Sequence, residues 1–575
     1  MKLQTERQMN KNFLLKDGDY NSTKEIFERI NKYIPNKNIL AELDKNKNIV
    51  YHTASDLYND VNAIGDGLIN IGLENKHIAI SADNSYYYIM CDMAIAGGVG
   101  VVTPIDRDAT DELFALLLNR CEADAIICSF HMIDKVKKAM DKCPKLKTVI
   151  TIEKKVDSFP CLAEIIEKGK SLQERGYYKN KKLDLSAPAK LLFTSGTTGP
   201  NKAVILSQNN LAANTINCLD SIMANPDEFN TSMSILPMHH ATEINTHISA
   251  RIAAGRLTYI NDSMKNMMVN IKIFKPHVIT IVPMIANAFY KAIWTNATKA
   301  GKDKLLKKGI KLCKLLKPLG IDPSRNLMKD VYEPFGGNLK QIVCGGAMLN
   351  PEVVKGFSDL GIFITNGYGI TECGPLISMN TDTINEPFSV GKQCPNLEVK
   401  LHNINEDNVG ELCIKGKSVS LGYYKDQEAT NKVFDSDGFF HTGDLAKIDK
   451  KGRIFLSGRK KNVIVLDNGK NVCPEEIELE VMNNIPYAKE CVCYIGENKN
   501  NKEVICLGLF IEDEEIRNNK MQIQEDFRTL NKNLPIYKQI NYINLVSNEY
   551  DKTSTKKIKR DTVLAYHNKE NGINL

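Results

Sequence analysis

Residues 194–202 read Thr-Ser-Gly-Thr-Thr-Gly-Pro-Asn-Lys, a run suited to holding phosphate. Gly196 and Gly199 let the backbone turn tightly, so that its N–H groups can approach an anion. Thr194, Ser195, Thr197 and Thr198 add hydroxyl donors, and Lys202 adds a positive charge. The preceding Lys190-Leu191-Leu192-Phe193 reads as an apolar strand, which would place this cradle at a strand end. It is not a P-loop of the G-x-x-x-x-G-K-[ST] type. The glycines stand too close together, and Ala203 follows the lysine where a metal-binding hydroxyl would be needed.

A loop of this kind needs a scaffold. The chain has 575 residues, too many for a single core. Up to about residue 450, short apolar runs alternate with amphipathic stretches. His77–Ser81, Gly100–Pro104, Asp124–Ser129, Thr148–Ile152, Lys190–Phe193, Ser232–Leu236, Val278–Val282, Leu339–Cys344 and Ile362–Thr365 read as strands, and Ser85–Ala96 as a helix. That alternation predicts an α/β fold of layered, largely parallel sheets and helices. The texture changes near Arg453–Gly458. A hairpin follows at Asn462–Leu466, with Asp467-Asn468-Gly469 as its turn. Next come a helix at Glu475–Met482, strands at Glu490–Tyr494 and Val504–Ile511, a further helix and a lysine-rich tail. The expected organisation is a large N-terminal domain over 1–458 and a small α+β domain over 459–575.

The loop resembles the signature loop of the adenylate-forming superfamily, which includes acyl-CoA synthetases, nonribosomal-peptide adenylation domains and firefly luciferase. The usual continuation is G-x-P-K-G. Here Gly199-Pro200-Asn201-Lys202-Ala203 keeps the lysine but displaces the proline and loses the last glycine. Further motifs match in the family's order. Gly345-Gly346-Ala347 resembles the adenine-side loop, and Asn366-Gly367-Tyr368-Gly369-Ile370-Thr371-Glu372 resembles the Y-G-x-T-E motif. The resemblance implies that Tyr368 stacks on adenine, that Thr371 binds phosphate, and that Glu372 and Thr194 hold Mg²⁺.

His441-Thr442-Gly443-Asp444 resembles the T-G-D motif, whose aspartate accepts hydrogen bonds from the ribose hydroxyls. Gly458-Arg459-Lys460-Lys461 matches the interdomain junction, which implies ribose and phosphate contact for Arg459 and a hinge at Lys461. The segment from Asn468 through Gly469 and Lys470 to Glu478 resembles the loop and helix of the thiol tunnel, with Cys473 where an aromatic residue is frequent. Lys552-Thr553-Ser554-Thr555-Lys556-Lys557-Ile558-Lys559-Arg560 resembles the C-terminal motif. Lys557 aligns with the catalytic lysine, and Lys556 replaces the usual glycine. The fold implied is the family's, with a mobile small domain. The substrates implied are ATP with Mg²⁺, a carboxylic acid and a thiol, either coenzyme A or a separate acyl carrier protein.

Ile235-Leu236-Pro237-Met238-His239-His240-Ala241-Thr242-Glu243 resembles the P-x-H-H segment of acyl-CoA synthetases. It implies that His240 lines the carboxylate end of the acid. Amino-acid-activating relatives carry an aspartate near this point, so amino acids are disfavoured. The stretch Ala286–Gly337 resembles that of bacterial long-chain fatty-acid ligases, so the expected acid is a medium- or long-chain fatty acid. Within it, Lys302–Lys317 is leucine- and lysine-rich at helical spacing. Two readings stand: contact with an anionic membrane, or leucines packed on the protein's own core. A luciferase-like oxygenase shares only the adenylation half. From another class, a non-catalytic acyl or nucleotide sensor on this fold is the rival reading.

The net charge of +6 is small for the length, and no basic stripe is interleaved with aromatic residues, so nucleic acid is not an expected partner. The 15 cysteines are scattered, with no C-x-x-C pair, and read as small buried hydrophobes. Met1–Lys16 is polar and charged, so no signal peptide is expected, and no apolar run approaches a membrane span. The expected compartment is a reducing cytoplasm, with or without peripheral contact at the inner face of the membrane.

Overall fold

The computed structural model describes residues 20–194, 202–222, 231–316, 319, 321, 323–346, 349–380, 386–466, 471–498, 503–552, 558–568 and 572–575. Packing divides it into two units. Of the described residues, the first comprises 20–194, those within 202–398, and 415–440, and the second comprises 399–414 and those within 441–575.

Two large sheets build the first unit. In the six-stranded sheet, Thr148–Thr151, Ala125–Cys128, His77–Ser81, Val101–Pro104 and Pro188–Phe193 lie in that spatial order and run parallel. Ala203–Ser207 closes the edge, antiparallel to Pro188–Phe193. Ala125–Cys128 is buried along its whole length, as expected where helices cover both faces of a parallel sheet. The nine-stranded sheet is parallel through its middle, where Gln341–Cys344 lies between Val278–Ile281 and Phe363–Gly369.

Helices join the two sheets through one core. Ile78, Ile80 and Val102 of the first sheet, Ile39, Leu40 and Ile260 of the second, and helical residues such as Phe27, Leu57, Ile64 and Ile89 belong to one buried cluster. Local chemistry sets the helix starts. Ser85 caps Tyr86–Ala94 by accepting from the N–H of Tyr88. Thr53 and Asp56 form a reciprocal capping box on Ala54–Asn70.

The second unit holds Phe440–Ile448 paired antiparallel with Ile454–Arg459, in a four-stranded sheet with Leu397–His402 and Gly410–Gly416. A further four-stranded sheet contains Glu490–Glu497, Glu503–Phe510, Tyr542–Val546 and Ile573–Asn574. Helices Pro474–Asn484 and Lys520–Asn531 contribute Ile477, Val481, Ile523 and Phe527 to its core. The expected hairpin is present as Ile464–Val465 paired with Asn471–Val472, while its turn lies outside the described residues. Residues 399–414 pack with this unit because their strands complete the sheet that contains Arg459, so the sheet spans the 458/459 position.

The helix in the lysine-rich stretch is Asp303–Leu316, and it has two apolar faces. Leu306 and Cys313 are buried, with Ile310 packed beside them. Leu305, Leu312 and Leu315 are exposed by 65%, 42% and 71%. The core-packing reading therefore holds for the face of Leu306 and Cys313, and the other face is open to solvent. Among the described residues, no helix is long and apolar enough to cross a membrane. All 15 cysteines are free thiols, and most are buried.

Candidate active site

Strand Pro188–Phe193 ends at Thr194, and its antiparallel neighbour begins at Ala203. The loop between them is closed at its base, where the Thr194 N–H donates to the Lys202 carbonyl at 3.0 Å. Ser195, Gly196, Thr197, Thr198 and Gly199 lie outside the described residues. The Lys202 ammonium sits over the Tyr423 ring, 4.6 Å from its centre. The Tyr423 hydroxyl in turn donates to Glu372 Oε1 at 2.9 Å. The cationic end of the loop and the carboxylate assigned to metal are thus joined through one aromatic side chain.

Backbone bonds hold that tyrosine in place. The segment around it runs beside strand Ala203–Ser207, with Tyr424 N–H donating to the Ala203 carbonyl at 2.8 Å and Ile205 N–H to the Gly422 carbonyl at 2.9 Å. Ser420 N–H donates to the Glu372 carbonyl at 2.8 Å. Burial, followed by the negative charge of Glu372, raises the Tyr423 pKa well above that of an ordinary phenol. The hydroxyl therefore remains a neutral donor.

The adenine-side residues gather at the ends of adjacent parallel strands, where Cys344 pairs with Asn366. A Cβ on Gly345 would lie 3.2 Å from the Gly367 carbonyl oxygen, so the two glycine segments run side by side. A Cβ on Gly369 would approach the Pro375 carbonyl to 2.2 Å, which leaves room only for glycine. Gly346 has φ +87°. Ala347 lies outside the described residues. Tyr368 is 8% exposed, and the buried Asn366 Oδ1 has no hydrogen-bond partner among the described residues. Thr371 and Glu372 share a tight turn, Thr371–Cys373.

His240 follows strand Thr231–Ser234 in a turn closed by its N–H on the Pro237 carbonyl at 3.0 Å. Its ring centre lies 4.8 Å from that of His239, whose Nε2 is 3.8 Å from Asp106 Oδ2. Burial lowers the His239 pKa and outweighs the opposing pull of Asp106.

In the second unit, Asp444 and Arg459 stand directly opposite each other on paired strands, with Arg459 Nε 3.0 Å from Asp444 Oδ1. Glu411, absent from the sequence reading, organises the turn before Asp444. It accepts from His441 Nδ1 at 3.0 Å, from the Gly443 N–H at 3.2 Å and from Lys460 Nζ at 2.9 Å. Burial alone would raise the Glu411 pKa, but Lys460 and His441 hold it below the usual carboxylate value. Lys461 lies in the tight turn Lys460–Asn462. Gly469, Lys470 and Lys557 fall outside the described residues. The ends of the lysine segment are brought together, since Lys552 and Ile558 form an antiparallel bridge. Beyond it, Arg560 donates to the Cys493 carbonyl at 3.2 Å and pairs with Glu478.

The family of AMP-binding enzymes matches residues 27–424. That is well over half of the chain, and the chain belongs to this adenylate-forming family. Peroxisomal long chain acyl-CoA synthetase 6 of Arabidopsis thaliana is 27% identical over 472 residues, covering 77% of this chain and 66% of that protein. The long-chain-fatty-acid–CoA ligase FadD15 of Mycobacterium bovis is 27% identical over 443 residues, covering 74% and 72%. The chain thus spans slightly less than two thirds of the plant relative. Among solved structures, the anthranilate CoA ligase AuaEII in complex with anthranoyl-AMP aligns at a TM-score of 0.76 with 17% identity, over 95% of this chain and 97% of that one. ATP-bound MatB from Rhodopseudomonas palustris aligns at 0.75 with 19% identity, over 96% and 99%. At such identity the two structures speak to the fold, and they share it.

Proposed function

We propose that the protein is an ATP-dependent acid–thiol ligase that adenylates a medium- or long-chain fatty acid and transfers the acyl group to coenzyme A. The observation that carries this reading is the joining of Lys202 to Glu372 through Tyr423 at the base of the phosphate loop. The relatives' names, long-chain ligases of coenzyme A, support the choice of acid. They also favour coenzyme A over a separate acyl carrier protein.

In the first half-reaction a carboxylate oxygen attacks the α-phosphorus of ATP and pyrophosphate leaves. Both reactants are anionic, so the protein must supply positive charge where negative charge gathers. Lys202 does so at the loop, and Lys557 is assigned to bridge the carboxylate and the α-phosphate. Tyr368 covers adenine, Thr371 binds phosphate, Asp444 accepts from the ribose hydroxyls, and Arg459, already paired to Asp444, reaches ribose and phosphate. His240 lines the carboxylate end of the acid. The oxygens of Glu372 and Thr194 are hard donors suited to Mg²⁺. The Tyr423 hydroxyl bonds Glu372 without neutralising its charge, so the residues fit the ion, which when bound offsets phosphate charge. In the second half-reaction the thiolate attacks the acyl-adenylate carbonyl and AMP leaves. We assign Gly469 and Lys470 to the thiol tunnel and Lys461 to the hinge of a moving part that begins at Arg459.

We further infer that the exposed face of helix Asp303–Leu316 rests on an anionic membrane surface. Lys304, Lys307, Lys308 and Lys311 flank Leu305, Leu312 and Leu315, a pairing of cations with exposed apolar side chains that suits such a surface. ATP–pyrophosphate exchange over a panel of acids tests the substrate reading. Fatty acids should support exchange. Faster exchange with an amino acid than with every fatty acid would overturn it.

A further inference from the structure

The strand that delivers the phosphate loop contains a buried charge that the proposed reaction leaves unused. Lys190 is 2% exposed. Its ammonium donates to Asp92 Oδ2 at 2.7 Å and to Asn245 Oδ1 at 2.8 Å. Asp92 lies on helix Tyr86–Ala94, and Asn245 lies in the π-helical turn Thr242–Ile248 that follows His240. The path continues from Asn245, whose backbone carbonyl accepts from Asn214 Nδ2 at 2.9 Å. Asn214 Oδ1 then accepts from the backbone N–H of Leu376 at 2.9 Å. Leu376 ends the segment that carries Glu372. Gly374 of the same segment packs against Asn214 so closely that a Cβ there would lie 3.1 Å from the Asn214 Cβ, at φ +86°.

Asp92, Lys190, Asn214 and Asn245 are all under 5% exposed. Taking an ion pair out of water is costly, and apolar residues of similar volume commonly serve a core equally well or better. The pair's contribution is therefore directional. The ammonium fixes which way the Asn245 amide points, and Asn214 uses both ends of its own amide to hold two separate backbones. One of those backbones leads from His240 and the other from Glu372. Lys190 itself stands on the strand that ends at Thr194.

We propose that Lys190, Asn245 and Asn214 are positioning residues for adenylation, forming a buried brace that sets the segment of Glu372 against the segment of His240. The brace fixes the phosphate and metal end of the site relative to its acid end. The proposal rests on the functional reading above.

The test replaces the charge pair by apolar residues of similar size, Lys190→Met with Asp92→Leu, and separately makes Asn214→Leu. Hydrogen exchange is followed by mass spectrometry beside a thermal melt and ATP–pyrophosphate exchange with a fatty acid. In the Lys190/Asp92 double variant, segment 371–380 should exchange faster although neither substituted residue touches it. kcat for pyrophosphate exchange should fall by about tenfold or more, as small misplacements of reacting groups do. The KM for ATP should stay within about twofold, since the brace makes no ATP contact. If the double variant does not fold, Asn214→Leu carries the same reading on segment 240–248. Unchanged protection of the distant segment in a folded variant, or a wild-type kcat, would overturn the brace. Wild-type protein without fatty-acid-dependent exchange would overturn the functional reading instead, and the hydrogen-exchange result would still decide the brace.

Discussion

The Tyr423 hydroxyl donates to Glu372 Oε1 at 2.9 Å, while the same ring carries Lys202 4.6 Å above its centre. Tyr423 is buried, so the bond is shielded from water and orients the carboxylate. Tyr423→Phe keeps the ring and the lysine contact but removes the donor. A hydrogen bond to a charged group contributes about 1.5–3 kcal/mol, so adenylation should slow by roughly tenfold or more, with a raised Mg²⁺ requirement. Pyrophosphate exchange titrated with Mg²⁺ measures both. A wild-type Mg²⁺ response would dissociate Tyr423 from the metal.

Glu372→Gln retains shape and removes the charge itself. By comparison with deleting one transition-state stabiliser, the loss in adenylation rate should be on the order of 10²–10³. A near-wild-type rate at limiting Mg²⁺ would withdraw the metal assignment from Glu372.

Much of the fold around this candidate site was legible in the sequence because its signals are local. The strand His77–Ser81 stands where its apolar run places it, and Ser85 caps the helix that the run after it predicts. Short strands with exposed faces, such as Ile49–Thr53, gave no comparable signal, because their burial comes from partners elsewhere in the chain. The same holds for side chains. Tyr423 meets Glu372, Glu411 meets Lys460, and Lys190 meets Asp92 across long stretches of sequence with no periodicity to link them. Lys190 reads simply as part of an apolar strand until the structure supplies its two acceptors. The second unit's early strands were equally hidden, since residues 399–414 join it only through sheet pairing.

His239 gives the acid-side segment a pH signature. Burial lowers its pKa from 6.5, so the folded protein holds the ring neutral where the unfolded chain would protonate. As pH falls below about 6.5 the unfolded chain binds the proton first, and stability declines until pH reaches the folded value. The urea midpoint should therefore fall as the pH drops below about 6.5. His239→Gln should flatten that part of the curve. An unaltered slope in the variant would place the titration elsewhere.

The exposed leucines of helix Asp303–Leu316 predict binding to vesicles that contain anionic lipid, weakened by salt. Replacing Leu305, Leu312 and Leu315 by serine should abolish sedimentation with such vesicles while leaving the melting temperature within a few degrees, because Leu306 and Cys313 hold the core face. Equal sedimentation with neutral and anionic vesicles would remove the membrane role.

The central claim is that the acid is activated by attack of its own carboxylate on the α-phosphorus. The most direct measurement supplies a fatty acid labelled with ¹⁸O in both carboxylate oxygens, together with ATP, Mg²⁺ and coenzyme A, and analyses the products by mass spectrometry. Adenylation transfers one labelled oxygen to AMP and leaves the other in the acyl thioester, with unlabelled pyrophosphate. Unlabelled AMP, or ADP accompanied by labelled inorganic phosphate, would contradict the account.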